Sequence, residues 1–139
     1  MDRRKFFRLG LIGITGTSLL HRNLYATQSS LDTNLAGSIY YSKQKTGRWK
    51  GKEAGHIPLV EVGSDMLKIT TPHEMNGYEH YIIKHAIFDS QFNFLDENMF
   101  DPTSTKAPIS EHEIKDYKGT VFVVSVCNKH DCWVTEASV

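Results

Sequence analysis

Beyond residue 50 the chain carries six histidines (His56, His73, His80, His85, His112 and His130) and its two cysteines, Cys127 and Cys132. Neutral imidazoles and a thiolate are ligands for first-row transition metals. Two cysteines are too few for an all-cysteine zinc or iron–sulfur site, so histidine must supply most ligands of any metal bound here. They also cannot staple a small fold, which leaves stability to a packed core. Four of the histidines, His56, His73, His80 and His130, lie with Cys127 at the edges of predicted strands rather than inside them. Strand ends on a rigid sandwich can converge on one metal without disturbing a hydrogen-bonded ladder.

The strands that would position these residues are short. Ile57 to Val62 and Met66 to Thr71 are apolar runs bounded by Gly and Pro. Tyr81 to Phe88 is rich in β-branched and aromatic residues, and Phe92 and Phe94 alternate with polar neighbours. Val121 to Val126 is the strongest strand pattern, with Trp133 to Thr135 after it. No segment has a long helical period, so the pattern predicts an all-β sandwich. Residues 27–52 are rich in Ser, Thr, Gln, Lys and Gly and read as a polar tail or long loop. A hydrophobic content of 40% suits a globular domain.

The formal net charge is zero but unevenly spread. Residues 1–26 hold five of the 16 basic residues and one of the 16 acidic ones. The remainder, with 11 basic and 15 acidic, is mildly acidic and offers nothing to draw a nucleic acid. Arg3-Arg4-Lys5-Phe6-Phe7, then an apolar stretch from Leu9 to Leu20, has the form of a twin-arginine export signal. The stretch is too short to span a membrane, and Leu24-Tyr25-Ala26 offers a cleavage site. The expected organisation is a signal over 1–26, a polar segment over 27–52 and one domain over 53–139, exported to the periplasm or beyond. Because this route moves folded proteins, a metal could be inserted before export.

Three ordered segments resemble one family. Glu53-Ala54-Gly55-His56-Ile57-Pro58 is similar to the first-ligand segment of the superoxide reductases (desulfoferrodoxin/neelaredoxin family). Thr71-Pro72-His73-Glu74-Met75 with Glu79-His80-Tyr81-Ile82 resembles their paired-histidine segment. Cys127-Asn128-Lys129-His130-Asp131-Cys132-Trp133 resembles their Cys-Asn-x-His-Gly-x-Trp ending. The resemblance implies an immunoglobulin-like sandwich of about seven strands holding one mononuclear iron. His56, His73, His80 and His130 would be equatorial ligands and Cys127 the axial one, opposite an open position. It implies one-electron reduction of superoxide to hydrogen peroxide, with Glu53 as the mobile carboxylate.

Three positions depart from the pattern. Many members have Lys directly before the first His, where this chain has Gly55; Lys50 or Lys52 would have to serve, and Lys52 is the candidate. His73 and His80 are seven apart where six is usual, which Asn76-Gly77 could absorb as a turn. Asp131 replaces the common Gly. No cysteine-rich segment precedes the domain, so the second iron centre of some members is not expected.

Other readings attach to the same residues. Cys127 and Cys132 could pair as a disulfide, or Cys132 could be a thiol behind the ligands or a small buried hydrophobe. His85 alternates within a strand and His112 falls in an acidic loop, so both are expected to be structural or exposed. An exported cupredoxin-like electron-transfer protein would also use a Cys-x-x-His pair, but it usually needs a weak axial Met shortly after, and none follows His130. A non-catalytic sandwich that binds iron or senses it is the third reading. The electron donor is not named by the sequence, and edge strands could pair copies of the chain.

Overall fold

The computed structural model describes residues 35–139. The signal expected over 1–26, its cleavage site and residues 27–34 lie outside them. A single 3₁₀ turn at Gly47–Trp49 and one helical turn, α1 (Glu53–His56), precede seven strands. These are β1 (Leu59–Val62), β2 (Met66–Thr70), β3 (Ile82–Asp89), β4 (Phe94–Met99), β5 (Ile109–Glu113), β6 (Thr120–Cys127) and β7 (Asp131–Ser138). They form two antiparallel sheets, one ordered β1-β2-β5 and the other β4-β3-β6-β7. The all-β sandwich of about seven strands expected from the pattern is what the chain forms.

The period-two alternation explains the layers. In β2, Leu67 and Ile69 point inward and Lys68 outward. They meet Ile87 of β3 and Val121 and Val123 of β6, and Ile114 closes the same cluster. Fully burying each such aliphatic side chain contributes about 1.5–3 kcal/mol. A second cluster of Ile82, Phe100 and Cys127, with Met75 against it, lies at the other end of the larger sheet. There the β3–β6 register shifts between Ile82 and Lys84, an irregularity of the kind that re-aims side chains near a site.

β5 is absent from the sequence-level pattern, which places His112 in a loop. The alternation is present, with Ser110 and His112 inward and Ile109, Glu111 and Glu113 outward. Polar residues hold the inward positions, so hydrophobicity gives no signal there.

The polar stretch before α1 docks on the sandwich. Tyr41 is 1% exposed, with its ring 5.6 Å from that of Trp133. Its N–H donates to the Cys132 carbonyl, and its carbonyl accepts from Val134 N–H. The segment thus pairs with the outer edge of β7, which the order of strands would otherwise leave bare.

Candidate metal centre

Each ligand candidate is held by a local device. His56 ends α1, where its Nδ1 lies 2.7 Å from the Lys52 carbonyl. A carbonyl only accepts, so Nδ1 carries the proton and the Nε2 lone pair points elsewhere. His73 follows Pro72, which ends β2, and its Nδ1–H donates to the Glu74 carbonyl. His80 closes a turn: Asn76 N–H donates to the His80 carbonyl at 2.9 Å, the reverse bond is 3.4 Å, and Gly77 sits at φ +54°. This is the Asn76-Gly77 turn that accommodates the longer spacing.

Cys127 and His130 flank the β6–β7 turn, in which Cys127 pairs with Asp131. Asp131 has φ +63°, the left-handed conformation that ends such three-residue loops. Glycine is the usual occupant, and Asp tolerates the region better than most residues. Its carboxylate is held from outside, by Arg48 Nη2 at 2.5 Å and Trp49 Nε1 at 2.8 Å. The Trp49 ring stands edge-on to His130, 4.7 Å between centroids.

Five ligand atoms converge: one nitrogen each from His56, His73, His80 and His130, and Cys127 Sγ, all within 4.8 Å of one another. His73 Nε2 to His80 Nε2 is 3.1 Å, His80 Nε2 to His130 Nδ1 is 3.1 Å, and His130 Nδ1 to His56 Nε2 is 2.9 Å. Nitrogens about 2.1 Å from a central cation and at right angles stand about 3.0 Å apart. The nitrogens run in the order 73, 80, 130, 56, and their three successive spacings match the sides of such a square. Cys127 Sγ lies 3.8 Å from His73 Nε2 and 3.6 Å from His130 Nδ1. These two nitrogens are not neighbours in that run, and the sulfur lies about equally far from both.

The donor set fits a cation. Burial lowers the basicity of all four imidazoles, with His56 brought to about 4, so they are neutral at pH 7. Lone pairs facing one another at 3 Å repel unless a positive charge sits among them. Burial raises the Cys127 thiol, while backbone N–H groups of Lys129 and His130 act the other way; a cation would complete the shift to thiolate. Cys127 and Cys132 are both free thiols, so the disulfide alternative is not what the structure contains.

Lys52 and Glu53 are outside the five-atom set. Lys52 is exposed, yet its charge is among those that lower His80 and His130. The Glu53 carboxylate is turned to backbone N–H groups of Gly51 and its own residue, which lower its pKa. His85 and His112 are buried far from any solvent-facing role, and they belong to another network.

Comparison of the sequence with protein-family models and with curated proteins gives no match. Comparison of the structure with solved structures does. A variant of the superoxide reductase (neelaredoxin) from Ignicoccus hospitalis aligns with a TM-score of 0.65 at 22% identity, covering 74% of this chain and 94% of that one. The unsubstituted protein of that organism gives 0.61 at 19%, covering 74% and 95%. The superoxide reductase from Giardia intestinalis gives 0.54 at 20%, covering 63% and 100%. The chain has the superoxide reductase fold.

Within that fold, several residues with no evident chemical role hold the ligands together. Asn128 Oδ1 accepts Tyr81 N–H at 3.0 Å, and its amide donates to the carbonyls of Tyr78 and Glu79. It thereby clamps the His73–His80 loop to the Cys127–His130 turn. Lys129 adds a second positive charge acting on His80 and His130. Asn128 and Lys129 stand inside the Cys-Asn-x-His segment, where their position was the available signal. Arg48 and Trp49 had none, because their partner is 82 or 83 residues away.

Proposed function

We propose that this protein is a superoxide reductase, using one mononuclear iron held by His56, His73, His80, His130 and Cys127. The reading is carried by the convergence of four imidazole nitrogens, spaced about as the ligands of one cation, with the Cys127 sulfur within 4.8 Å of them all. Bound iron would supply the single electron and the point of attachment for the anion. Superoxide, one electron and two protons give one hydrogen peroxide, so both oxygen atoms leave together and no dioxygen forms.

The chain's own residues supply the rest. Lys52 O and Glu74 O fix His56 and His73 with lone pairs inward. Cys127 is 3% exposed on an apolar bed of Ile82, Phe100 and Met75, which keeps water from the sulfur side. His73, His80 and His130 are only partly buried, so the anion would approach from their side. Lys52 takes the part of the missing loop lysine, with Lys129, in attracting it. Glu53 stands at the start of α1, where release from its backbone bonds would let it cap the metal. The donor that returns the electron is a separate partner, and copies of the chain could pair through sheet edges. Four histidines exceed what a cupredoxin site needs, which favours iron over copper.

Iron loaded anaerobically into the full chain and then oxidised should give a thiolate-to-iron charge-transfer band that Cys127→Ser abolishes. Peroxide should form one-to-one with superoxide consumed. Absence of the band, or dioxygen among the products, would reject the assignment. Export by the twin-arginine route belongs to the same proposal. It predicts that Arg3→Lys/Arg4→Lys leaves the protein in the cytoplasmic fraction, and unchanged fractionation would count against it.

A further inference from the structure

A polar chain, buried except at Asp96, crosses the sandwich and reaches Thr71, two residues before the ligand candidate His73. Asp96 Oδ2 of β4 lies 2.8 Å from His112 Nδ1 of β5, and His112 Nε2 lies 2.8 Å from Ser110 Oγ. That oxygen is 2.7 Å from His85 Nδ1 of β3, and His85 Nε2 is 2.9 Å from Thr71 Oγ1. Thr71 in turn donates to Ser125 Oγ of β6 at 2.8 Å. His85 and His112 are 0% and 2% exposed. Among the described residues no buried side-chain nitrogen or oxygen is left without a partner. The Ser110–His112–Asp96 part has the connectivity of a hydrolytic triad. Its serine oxygen, however, is buried between two imidazoles and has no room for a substrate.

Counting hydrogens gives the chain a direction. Thr71 spends its one hydrogen on Ser125, so its oxygen accepts from His85 Nε2–H. Burial holds His85 neutral, lowering it to about 3, and the charge of His112 acts in the same sense. A neutral imidazole has one N–H, so His85 Nδ1 accepts from the Ser110 hydroxyl. The Ser110 oxygen then accepts from His112 Nε2–H. At the far end of the chain a carboxylate oxygen of Asp96 faces His112 Nδ1.

The end at Thr71 bears on the metal centre. Thr71 is 1% exposed, and every polar atom it has is engaged. Its N–H donates to the Pro108 carbonyl at 3.0 Å, and its carbonyl accepts His73 N–H at 2.7 Å. Beyond it, Pro72 turns the chain out of β2 toward His73. We propose that His85 is a positioning residue of the metal centre, delivering its Nε2–H to Thr71 and so fixing the corner from which the ligand His73 leaves the sheet. The inference rests on the metal-centre reading above. It joins β3 and β6 of one sheet to β2 and β5 of the other at the point where the ligand loop begins.

Nitrogen-15 NMR of the full chain should find the His85 proton on Nε2. Thr71→Val, isosteric but without the hydroxyl, should weaken anaerobic iron(II) binding by about tenfold or more, as loss of a group supporting a ligand does. Thr71→Ser should restore it, which a role limited to filling space would not predict. A His85 proton on Nδ1 would overturn the inference. So would a Thr71→Val chain that binds iron as tightly as wild type, with wild-type binding intact. A wild-type chain that binds no iron overturns the functional reading and this one together. Should Thr71→Val fail to fold, the wild-type tautomer and slow exchange of the His73 amide decide, and rapid exchange of that amide would sink the proposal.

Discussion

At the scale of single residues, backbone conformation and hydrogen-bond direction matter more than residue type. Asp131 departs from the glycine common at its position, yet it keeps the left-handed φ that the turn requires. It adds a carboxylate that ties Arg48 and Trp49 to the ligand turn. The two contributions can be separated. Asp131→Gly keeps the turn and loses only partly exposed hydrogen bonds, at a cost of about 1 kcal/mol or less. Asp131→Ala loses the same bonds but, unlike Gly, keeps a Cβ in the left-handed region, which leaves it about 1–2 kcal/mol below the Gly variant. Urea midpoints should therefore place Gly near wild type and Ala below both. Equal values for Gly and Ala would show that the turn does not need the left-handed residue. The same logic explains why Asn128 stands between Cys127 and His130: only an amide both accepts from Tyr81 N–H and donates to two carbonyls.

At the scale of elements, the segment before α1 is the informative one. Its composition is that of a solvated loop, and most of its side chains are polar and exposed. One aromatic residue changes its status. Tyr41 is buried against Trp133, bonds both its backbone groups to β7, and takes Arg48 Nε on its hydroxyl at 3.1 Å. It thus closes an edge strand and carries Trp49 to within contact of His130. Tyr41→Ala should destabilise the metal-free chain by about 3 kcal/mol in denaturant unfolding, as removal of a buried aromatic does. Iron(II) affinity should fall with it, because His130 loses its outer wall. A loss below about 1 kcal/mol would mean that the segment merely lies on the surface.

At the scale of the whole molecule, the sandwich encloses imidazoles that cannot easily take a proton. Burial lowers His85 to about 3 and His56 to about 4, against 6.5 for a free histidine. The unfolded chain therefore binds protons that the folded chain refuses. Stability of the metal-free protein is complete above about pH 6.5 and declines as pH falls toward 4 and then 3. The slope approaches about 1.4 kcal/mol per pH unit for each such histidine. Unfolding free energies measured from pH 7 to pH 4 should show this decline, and His85→Gln should reduce it. A flat profile would mean that His85 is charged in the fold. How far the sequence alone goes is set by which signals are local. Alternation of apolar residues announced β2, β3, β6 and the two-layer plan, because period two is written into neighbouring residues. The ligand candidates were legible from residue type and position at strand ends. β5 was not, because its inward positions are Ser110 and His112, whose burial depends on partners 16 and 25 residues away. Nor were the docking of Tyr41, the grip of Arg48 on Asp131, or the relay from Asp96 to Thr71. Local pattern determined which side chains could bind a metal and which strands would carry them. Only packing of one sheet on the other decided where their lone pairs meet, since that geometry is held by hydrogen bonds between residues far apart in the chain.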